Sequence, residues 1–344
     1  MKATSDARRK PHHLEPGEPR LSPQVQHLPI LILQPHSRCN CRCVMCDIWK
    51  VTEAQEITAS ELERHLADIE RLGVAWAVFS GGEPLMHSDL FRLSGMLRGR
   101  GIRTTILSSG LLLTRHAASI AAATDETIVS LDGPPAVHDE IRGVPGAFKR
   151  LAEGVCAIHR ESATYPMAAR CTVQARNAAH LRATVEAARD LGLRSISFLA
   201  ADLHSTAFNR PIPWPAKKSG GIAPDLTVLE QEIEALISTY SGDGFVRENP
   251  AKLRRIAAHF RADQGLCQHT APRCNAPWVS AVVESNGDVR PCFFHAPIGN
   301  TANSSLAAIL NGPAAIAFRE GLDVATDPTC RRCVCSLYWG PSSA

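Results

Sequence analysis

Residues 28–50 read LPILILQPHSRCNCRCVMCDIWK, and this stretch decides the fold because a short apolar strand runs straight into four cysteines. The apolar half, LPILILQ, is typical of a buried strand. In parallel barrels, the loops that follow the strands carry the active-site groups. We therefore expect these cysteines to lie at the functional edge of a parallel sheet.

Outward from this stretch, strands and amphipathic helices alternate. Apolar residues recur at helical spacing in ITASELERHLADIERLG (57–73), and five further strands follow: AWAVFS, RTTILSS, ETIVSLD, MAARCTVQ and SISFLAAD. Alternation of this kind implies parallel strands joined by right-handed crossovers. The fold class is therefore α/β, a partial (β/α)6 parallel barrel with a small C-terminal α+β cysteine-rich domain.

The alternation of strands and helices stops near residue 202, and the chain as a whole divides into four segments. A stretch rich in Pro, Gly and Lys and two helices follow, and Asn286-Gly287 between apolar runs predicts a hairpin turn. We expect a mobile N-terminal arm (1–28), a barrel core (29–204), a linker with helices (205–264) and a cysteine-rich domain (265–344).

Composition sets the class of protein. The chain has 344 residues, 44% hydrophobic and 21% charged, with 37 Lys and Arg against 34 Asp and Glu, which excludes a disordered or membrane-embedded chain. Its small net charge favours neither a nucleic-acid nor a membrane partner. Because no secretory signal is visible, we expect the reducing cytoplasm, where twelve cysteines indicate metal or redox chemistry.

Three cysteines of the first group form the spacing C-x3-C-x2-C: Cys39, Cys43 and Cys46. A 4Fe-4S cluster normally takes four thiolates, so three leave one iron with an exchangeable position. Cys41 is then a bystander. A zinc knuckle built from any of the four cysteines, or plain surface thiols, fits the same spacing.

Polar motifs follow the next strands. GGEP (81–84) follows the second strand, Ser109 the third, and Ser130 and Asp132 the fourth. Glycines allow close backbone approach to a ligand, and hydroxyl and carboxylate groups suit the hydroxyls of a ribose. Ordinary turn and helix-cap chemistry explains the same residues.

A second group of thiols lies in the C-terminal quarter. Cys274 and Cys292 flank the predicted hairpin, and Cys330 and Cys333 form a C-x2-C. These four thiolates suit a structural zinc ion as well as an iron cluster.

In the order C-x3-C-x2-C, GGEP and SLDG, these motifs resemble the radical S-adenosylmethionine superfamily. The resemblance implies a 4Fe-4S cluster on Cys39, Cys43 and Cys46, whose fourth iron is chelated by S-adenosylmethionine. It also implies cofactor contacts for the residues at the strand ends. These are Gly81, Gly82, Glu83 and Pro84 at the methionine amine, and Ser109, Ser130 and Asp132 at the ribose or methionine.

Other positions match the superfamily less closely. The resemblance offers His138 and Arg142 as substrate-facing residues, although a surface helix explains them equally well, and it puts Gln174 and Arg176 near the nucleotide. Asp202 ends the sixth strand among candidate adenine or substrate contacts, and a solvated loop carboxylate is the alternative.

The C-terminal quarter resembles the family's twitch and SPASM extensions, with GDVRPC (287–292) before a C-x2-C. The resemblance favours one auxiliary 4Fe-4S cluster bound by Cys274, Cys292, Cys330 and Cys333. Cys267 and Cys335 are then spare, although either can replace one of the four.

The function implied by the resemblance is reductive cleavage of S-adenosylmethionine to a 5'-deoxyadenosyl radical that abstracts hydrogen from a small-molecule or peptide substrate. An electron donor such as flavodoxin or ferredoxin would supply the electron. The alternative is a non-catalytic iron-sulfur or zinc scaffold or redox sensor. Which substrate is used does not follow from the sequence.

Overall fold

The sheet is built outward from β1 (Ile30–His36), the strand at the start of the cysteine-rich stretch. The computed structural model describes residues 21–211, 221–240 and 242–340. In it, β1 lies between β2 (Trp76–Gly81) and β7 (Ser280–Val283) and pairs with both in parallel. Over the described residues the strand order is β6-β5-β4-β3-β2-β1-β7-β8-β9.

The first six strands pair in parallel in the order of the sequence, which confirms the predicted α/β fold class. The hairpin at Asn286-Gly287 is also confirmed, because β7 and β8 pair antiparallel around Gly287, whose φ is +86°. The remaining strands are β3 (Arg103–Ser108), β4 (Glu126–Ser130), β5 (Met167–Val173), β6 (Ile196–Ala200), β8 (Asp288–Arg290) and β9 (Gly299–Asn300).

Thirteen α-helices accompany the sheet within the described residues. Seven lie between the strands of the parallel sheet: α1 (Ala59–Glu63), α2 (Leu66–Arg71), α3 (Leu90–Arg98), α4 (Leu113–Ala123), α5 (Pro135–Arg142), α6 (Ala147–Glu161) and α7 (Leu181–Asp190). Six follow: α8 (Leu226–Tyr240), α9 (Pro250–Asp263), α10 (Ala276–Val279), α11 (Leu306–Leu310), α12 (Pro313–Gly321) and α13 (Pro328–Arg331).

Alternate residues of β1 serve the two faces of the sheet. Leu31 and Leu33 belong to the large core that packs against the helices, whereas Ile30 and Ile32 belong to a smaller cluster on the opposite face. All four side chains are buried. The period of two that a strand imposes therefore places apolar groups in both layers, which explains the uninterrupted apolar run in the sequence.

The structure corrects two expectations. Residues 21–28 are not a mobile arm, because Val25 exchanges two hydrogen bonds of 2.8 and 3.0 Å with the Asn311 amide and Leu28 is fully buried. Residues 1–20 lie outside the described part. The helix predicted over 57–73 is broken at Arg64–His65 into α1 and α2.

The C-terminal domain shares the sheet of the barrel core, a pairing about which the sequence makes no prediction. Its first strand, β7, joins β1 directly and continues the barrel sheet.

Among the described residues, no helix combines the length and apolarity that a bilayer crossing requires.

Candidate functional site

The loop after β1 is held against the end of α5 by its backbone. The Arg42 amide donates to the Arg142 carbonyl at 2.9 Å, and the Val44 amide donates to the Ile141 carbonyl at 3.0 Å. Gly143 reinforces the contact, since a Cβ there would lie 2.5 Å from the Arg42 carbonyl oxygen, and its φ of +61° also favours glycine. The cysteines are thus fixed at the carboxyl edge of the sheet.

The four thiols of this loop lie together. Cys41 and Cys43 are buried, whereas Cys39 and Cys46 are half-buried. Hydrogen bonds to Cys39 and Cys43, together with burial, raise the pKa of Cys41, and burial raises that of Cys46 to about 12. The hydrogen bond from Cys41 lowers the pKa of Cys43 to about 7, and the nearby Arg142 cation acts in the same direction. Cys43 therefore has the most thiolate character of these three.

A buried ion pair supports the Cys43 thiol. Arg142 Nη1 lies 3.7 Å from Cys43 Sγ, and Arg142 Nη2 lies 2.5 Å from Asp132 Oδ2. Asp132 also accepts a hydrogen bond from the Thr172 amide at 2.8 Å and is fully buried. The carboxylate of Asp132, a predicted cofactor contact, is thus directed to Arg142, and Arg142 is buried against the cysteine loop and not exposed on a surface helix.

The Glu83 carboxylate of the GGEP motif ties together two strand ends. Its oxygens accept from Ser108 Oγ at 2.9 Å, the Ser109 amide at 2.7 Å and the Leu85 amide at 3.2 Å. Burial raises the pKa of Glu83 although these donors oppose the shift. The geometry makes Glu83 a positioning group at the ends of β2 and β3, and leaves the backbone of Gly82 to face the cysteine loop.

Gly82 is required by close packing. A Cβ at this position would lie 2.0 Å from the Arg38 carbonyl oxygen, which immediately precedes Cys39. The Glu83 amide donates to the same oxygen at 2.8 Å. The GGEP turn and the cysteine loop therefore lie in direct backbone contact, as a shared cofactor site needs.

The other predicted contacts have different positions. Ser109 is buried and its hydroxyl donates to Asn40 Oδ1 at 3.0 Å, inside the cysteine loop, whereas Ser130 is half-buried at the end of β4. Gln174 is buried and its Nε2 lies 3.7 Å from Met45 Sδ, while Arg176 pairs at the surface with Glu140. Gln174 Oε1 has no partner among the described residues and is thus free for a ligand.

Asp202 and His138 also differ from expectation. Asp202 is buried and forms an ion pair with Arg210, so its carboxylate is not a solvated loop group. His138 is fully buried and accepts a hydrogen bond from the Asp132 amide at 3.2 Å. His138 thus supports the end of the fourth strand and is not exposed on a surface helix.

The C-terminal cysteines line one cavity of about 220 Å³ against the smaller apolar cluster of the sheet. Five thiols contribute: Cys274, Cys292, Cys330, Cys333 and Cys335. Burial raises the pKa of Cys292 to about 11 and that of Cys330 and Cys333 further. Cys267 does not line the cavity and is exposed.

One polar group, His295, lines this cavity, and a second, Arg255, lies outside its lining and contacts the segment that carries Cys333. His295 Nε2 lies 3.5 Å from Cys330 Sγ, and Arg255 donates to the Cys333 carbonyl at 2.5 Å. Burial lowers the pKa of Arg255, and the cysteines nearby oppose that shift. A cation beside thiols in an apolar cavity suits an anionic cluster, because it offsets the charge of the thiolates. The sequence gives no signal for Arg255 or for His295.

Both thiol sets fit iron-sulfur clusters by their donor chemistry. The first set provides three thiols in C-x3-C-x2-C spacing, with Cys43 poised as a thiolate beside Arg142, and Cys39, Cys43 and Cys46 are the residues that would hold the cluster. The second set provides the four predicted thiols plus Cys335 in one cavity. A parallel α/β sheet with one thiol set at its carboxyl edge and another beside its C-terminal hairpin defines a two-site iron-sulfur protein.

Comparison with known families agrees with this class. Residues 33–165 match the model of the radical SAM superfamily, and residues 274–334 match that of an iron-sulfur cluster-binding domain, SPASM. The chain therefore carries a radical SAM domain and, at its C-terminal end, a SPASM domain. The cofactors of these domains are S-adenosylmethionine with a 4Fe-4S cluster and auxiliary iron-sulfur clusters, respectively.

Curated relatives are similar over different spans. An AdoMet-dependent heme synthase of Methanosarcina barkeri is 33% identical over 159 residues, which are 45% of this chain and 45% of that protein. The match thus covers less than half of that relative. The PqqA peptide cyclase of Ruegeria pomeroyi is 25% identical over 308 residues, which are 86% of this chain and 77% of that protein.

A solved structure shares the fold. SuiB of Streptococcus suis bound to S-adenosylmethionine superposes with a TM-score of 0.65 at 15% sequence identity, covering 92% of this chain and 74% of SuiB. At this identity the similarity establishes the fold alone.

Proposed function

We propose that this chain is a radical S-adenosylmethionine enzyme that abstracts a hydrogen atom from a small-molecule or peptide substrate. The observation that carries the proposal is the placement of Cys43 beside Arg142, in a loop whose other thiols are within the same site. When bound, the cluster and S-adenosylmethionine supply a one-electron cleavage that yields methionine and a 5'-deoxyadenosyl radical. An electron donor such as flavodoxin or ferredoxin would provide that electron.

The chain's own residues position these groups. Cys39, Cys43 and Cys46 hold the cluster, and Arg142 stabilises the Cys43 thiolate and orients Asp132. Glu83 joins the ends of β2 and β3 so that the backbone of the GGEP turn lies against the cysteine loop. The orphan Gln174 Oε1 and the Ser109 and Ser130 hydroxyls offer polar contacts for the nucleotide.

The second thiol set holds one auxiliary cluster on Cys274, Cys292, Cys330 and Cys333. Its cavity is also lined by Ile30, Ile32 and Val78 from the sheet, so a cluster there would face the apolar side of the strand that carries the radical site. An auxiliary cluster in this position can accept an electron from a substrate radical or anchor a substrate.

The substrate class is supported by similarity alone. The relatives include a heme synthase and a peptide cyclase, and another, the AlbA protein of Bacillus subtilis, is a bacteriocin biosynthesis protein. Both a modified small molecule and a peptide therefore remain within the proposal.

Anaerobic turnover tests the proposal. Reconstituted protein is mixed with dithionite and S-adenosylmethionine, and 5'-deoxyadenosine is quantified by chromatography. We expect formation by the wild type, none by Cys43→Ala, and retained formation by Cys41→Ala, because Cys41 supports the loop without ligating iron. Wild-type protein with full clusters that releases no 5'-deoxyadenosine under any reductant overturns the enzyme and leaves a non-catalytic iron-sulfur scaffold.

A further inference from the structure

Three imidazoles converge on one carboxylate outside both thiol sets. Asp263 is the last residue of α9, and His259 lies one turn earlier on the same helix. His204 lies in the loop after β6, and His269 lies in the cysteine-rich domain, before Cys274. Three separate segments of the chain thus meet at this carboxylate.

The ligand atoms are close enough to share one ion. Asp263 Oδ1 lies 2.6 Å from His204 Nε2 and 3.1 Å from His269 Nε2, and all three atoms lie within 4.8 Å of one another. In a tetrahedral zinc site with bonds of about 2.0 Å, neighbouring ligand atoms are about 3.3 Å apart. The observed spacing is therefore close to that of a metal-bound set and needs only small side-chain shifts.

Burial makes the cluster unusual for a surface ion pair. The Asp263 and His259 side chains are each only 5% exposed. His259 Nε2 lies 3.3 Å from Asp263 Oδ2, yet neither atom has a hydrogen-bond partner among the described residues. Because the Oδ2 atom of this buried carboxylate lies against His259, its Oδ1 atom is the one that faces His204 and His269.

We propose that His204, Asp263 and His269 bind a divalent transition-metal ion, and that Zn²⁺ is the ion that best suits these ligands. Two imidazole nitrogens and one carboxylate oxygen are ligands that zinc accepts, and three protein ligands leave a fourth position open. His204 is the most exposed of the three, with 32% of its side chain accessible, so the open position faces solvent. His259 is a positioning residue on the second carboxylate oxygen.

The ion would join the barrel edge to the C-terminal domain. His204 follows β6, whereas His269 precedes Cys274 in the sequence. Arg331, which follows Cys330, donates a hydrogen bond of 3.0 Å to the His269 carbonyl. A metal at Asp263 would thus fix both segments to the end of α9. This inference does not rest on the proposed function, because it concerns residues that touch neither thiol set.

Metal analysis of the full-length, cluster-loaded protein tests the site. The protein is dialysed anaerobically against a chelator, exposed to Zn²⁺, desalted, and analysed for zinc and iron by mass spectrometry. We expect about one zinc per chain. His204→Ala and His269→Ala should each lose it with unchanged iron, whereas His159→Ala, a control on α6, should retain it.

A second measurement does not depend on how the variants fold. X-ray absorption at the zinc edge of the wild-type protein should give nitrogen and oxygen ligands at about 2.0–2.1 Å, whereas cysteine-bound zinc would give sulfur at about 2.3 Å. Absence of bound zinc after desalting, zinc retained in both histidine variants, or a sulfur shell would each overturn the proposal.

Discussion

Arg142 Nη1 lies 3.7 Å from Cys43 Sγ, and the same guanidinium forms a 2.5 Å ion pair with Asp132. One buried cation therefore serves two acidic groups, one in the loop after β1 and one after β4. Since the Asp132 side chain is fully buried, the two groups are coupled through a region that solvent does not screen. The consequences can be measured in variants.

Replacing Arg142 by Gln should destabilise the protein and deplete its iron. The change leaves the Asp132 carboxylate buried without its counter-charge, which costs about 3–5 kcal/mol. Chemical unfolding and iron content measure the effect. The control is Arg176→Gln, whose surface pair with Glu140 is worth about 0–1 kcal/mol. Equal losses in the two variants would contradict the role given to Arg142, and Arg142→Gln combined with Asp132→Asn should restore part of the stability.

Gly82→Ala should abolish cofactor assembly. Its new Cβ would lie 2.0 Å from the Arg38 carbonyl oxygen, and neither backbone can move without displacing the cysteine loop. Gly95→Ala is the matched control, since Gly95 lies within α3 with open space around it and should gain about 0.5–1 kcal/mol. Iron content and melting temperature report both changes. A Gly82→Ala variant with full iron and unchanged melting temperature would refute the close contact.

His138 should make stability fall with acid. Burial, with the nearby Arg142 cation, lowers the pKa of His138 to about 3, whereas an unfolded chain has a histidine pKa of about 6.5. The unfolded state therefore binds more protons between these values, and stability present above pH 6.5 is lost as the pH falls. At about pH 5 the loss from this group is roughly 2 kcal/mol.

His138→Asn provides the comparison, because its amide oxygen can accept from the Asp132 amide without titrating. Urea unfolding at neutral and at mildly acidic pH should show a smaller acid-induced loss in this variant than in the wild type. The same loss in both proteins would show that His138 is not the titrating group.

Removal of one cysteine of the second thiol set should abolish the auxiliary cluster and leave the first cluster intact. Wild-type protein should hold about eight irons per chain, and Cys292→Ala about four, because each cluster contributes four. Cys267→Ala should keep the full count, since Cys267 is exposed and does not line the cavity. Iron analysis and electron paramagnetic resonance measure this. Four irons plus one cysteine-bound zinc in the wild type would exclude the second cluster.

The parallel sheet and the two groups of cysteines can be predicted from the sequence because both depend on local patterns. Short apolar runs that alternate with amphipathic helical patterns indicate β1 to β6, and Asn286-Gly287 indicates a tight turn. Pairing of β7 with β1 joins residues about 250 positions apart, and no local pattern encodes such a partner. The break at Arg64–His65 likewise has no signal in helical periodicity.

Within the site, the cysteines are predictable and their supports are not. The role of Arg142 depends on α5 turning its last residue under the cysteine loop, which only the folded chain shows. Glu83 is predicted as a cofactor contact, but its partners Ser108 and Ser109 become neighbours only when β2 and β3 pair. The i, i+4 spacing of His259 and Asp263 on a helix is the signal that could have indicated the histidine cluster.

Because β1 pairs with both β2 and β7, the C-terminal segment helps to hold in place the strand that precedes the cysteine loop. A truncated chain lacking residues beyond about 265 would leave one side of β1 with unpaired backbone groups and an apolar face uncovered. Such an edge recruits other strands, so truncation should lead to aggregation rather than to a smaller working enzyme. We therefore expect the two thiol sets to belong to one cooperative folding unit, in which neither is a removable module.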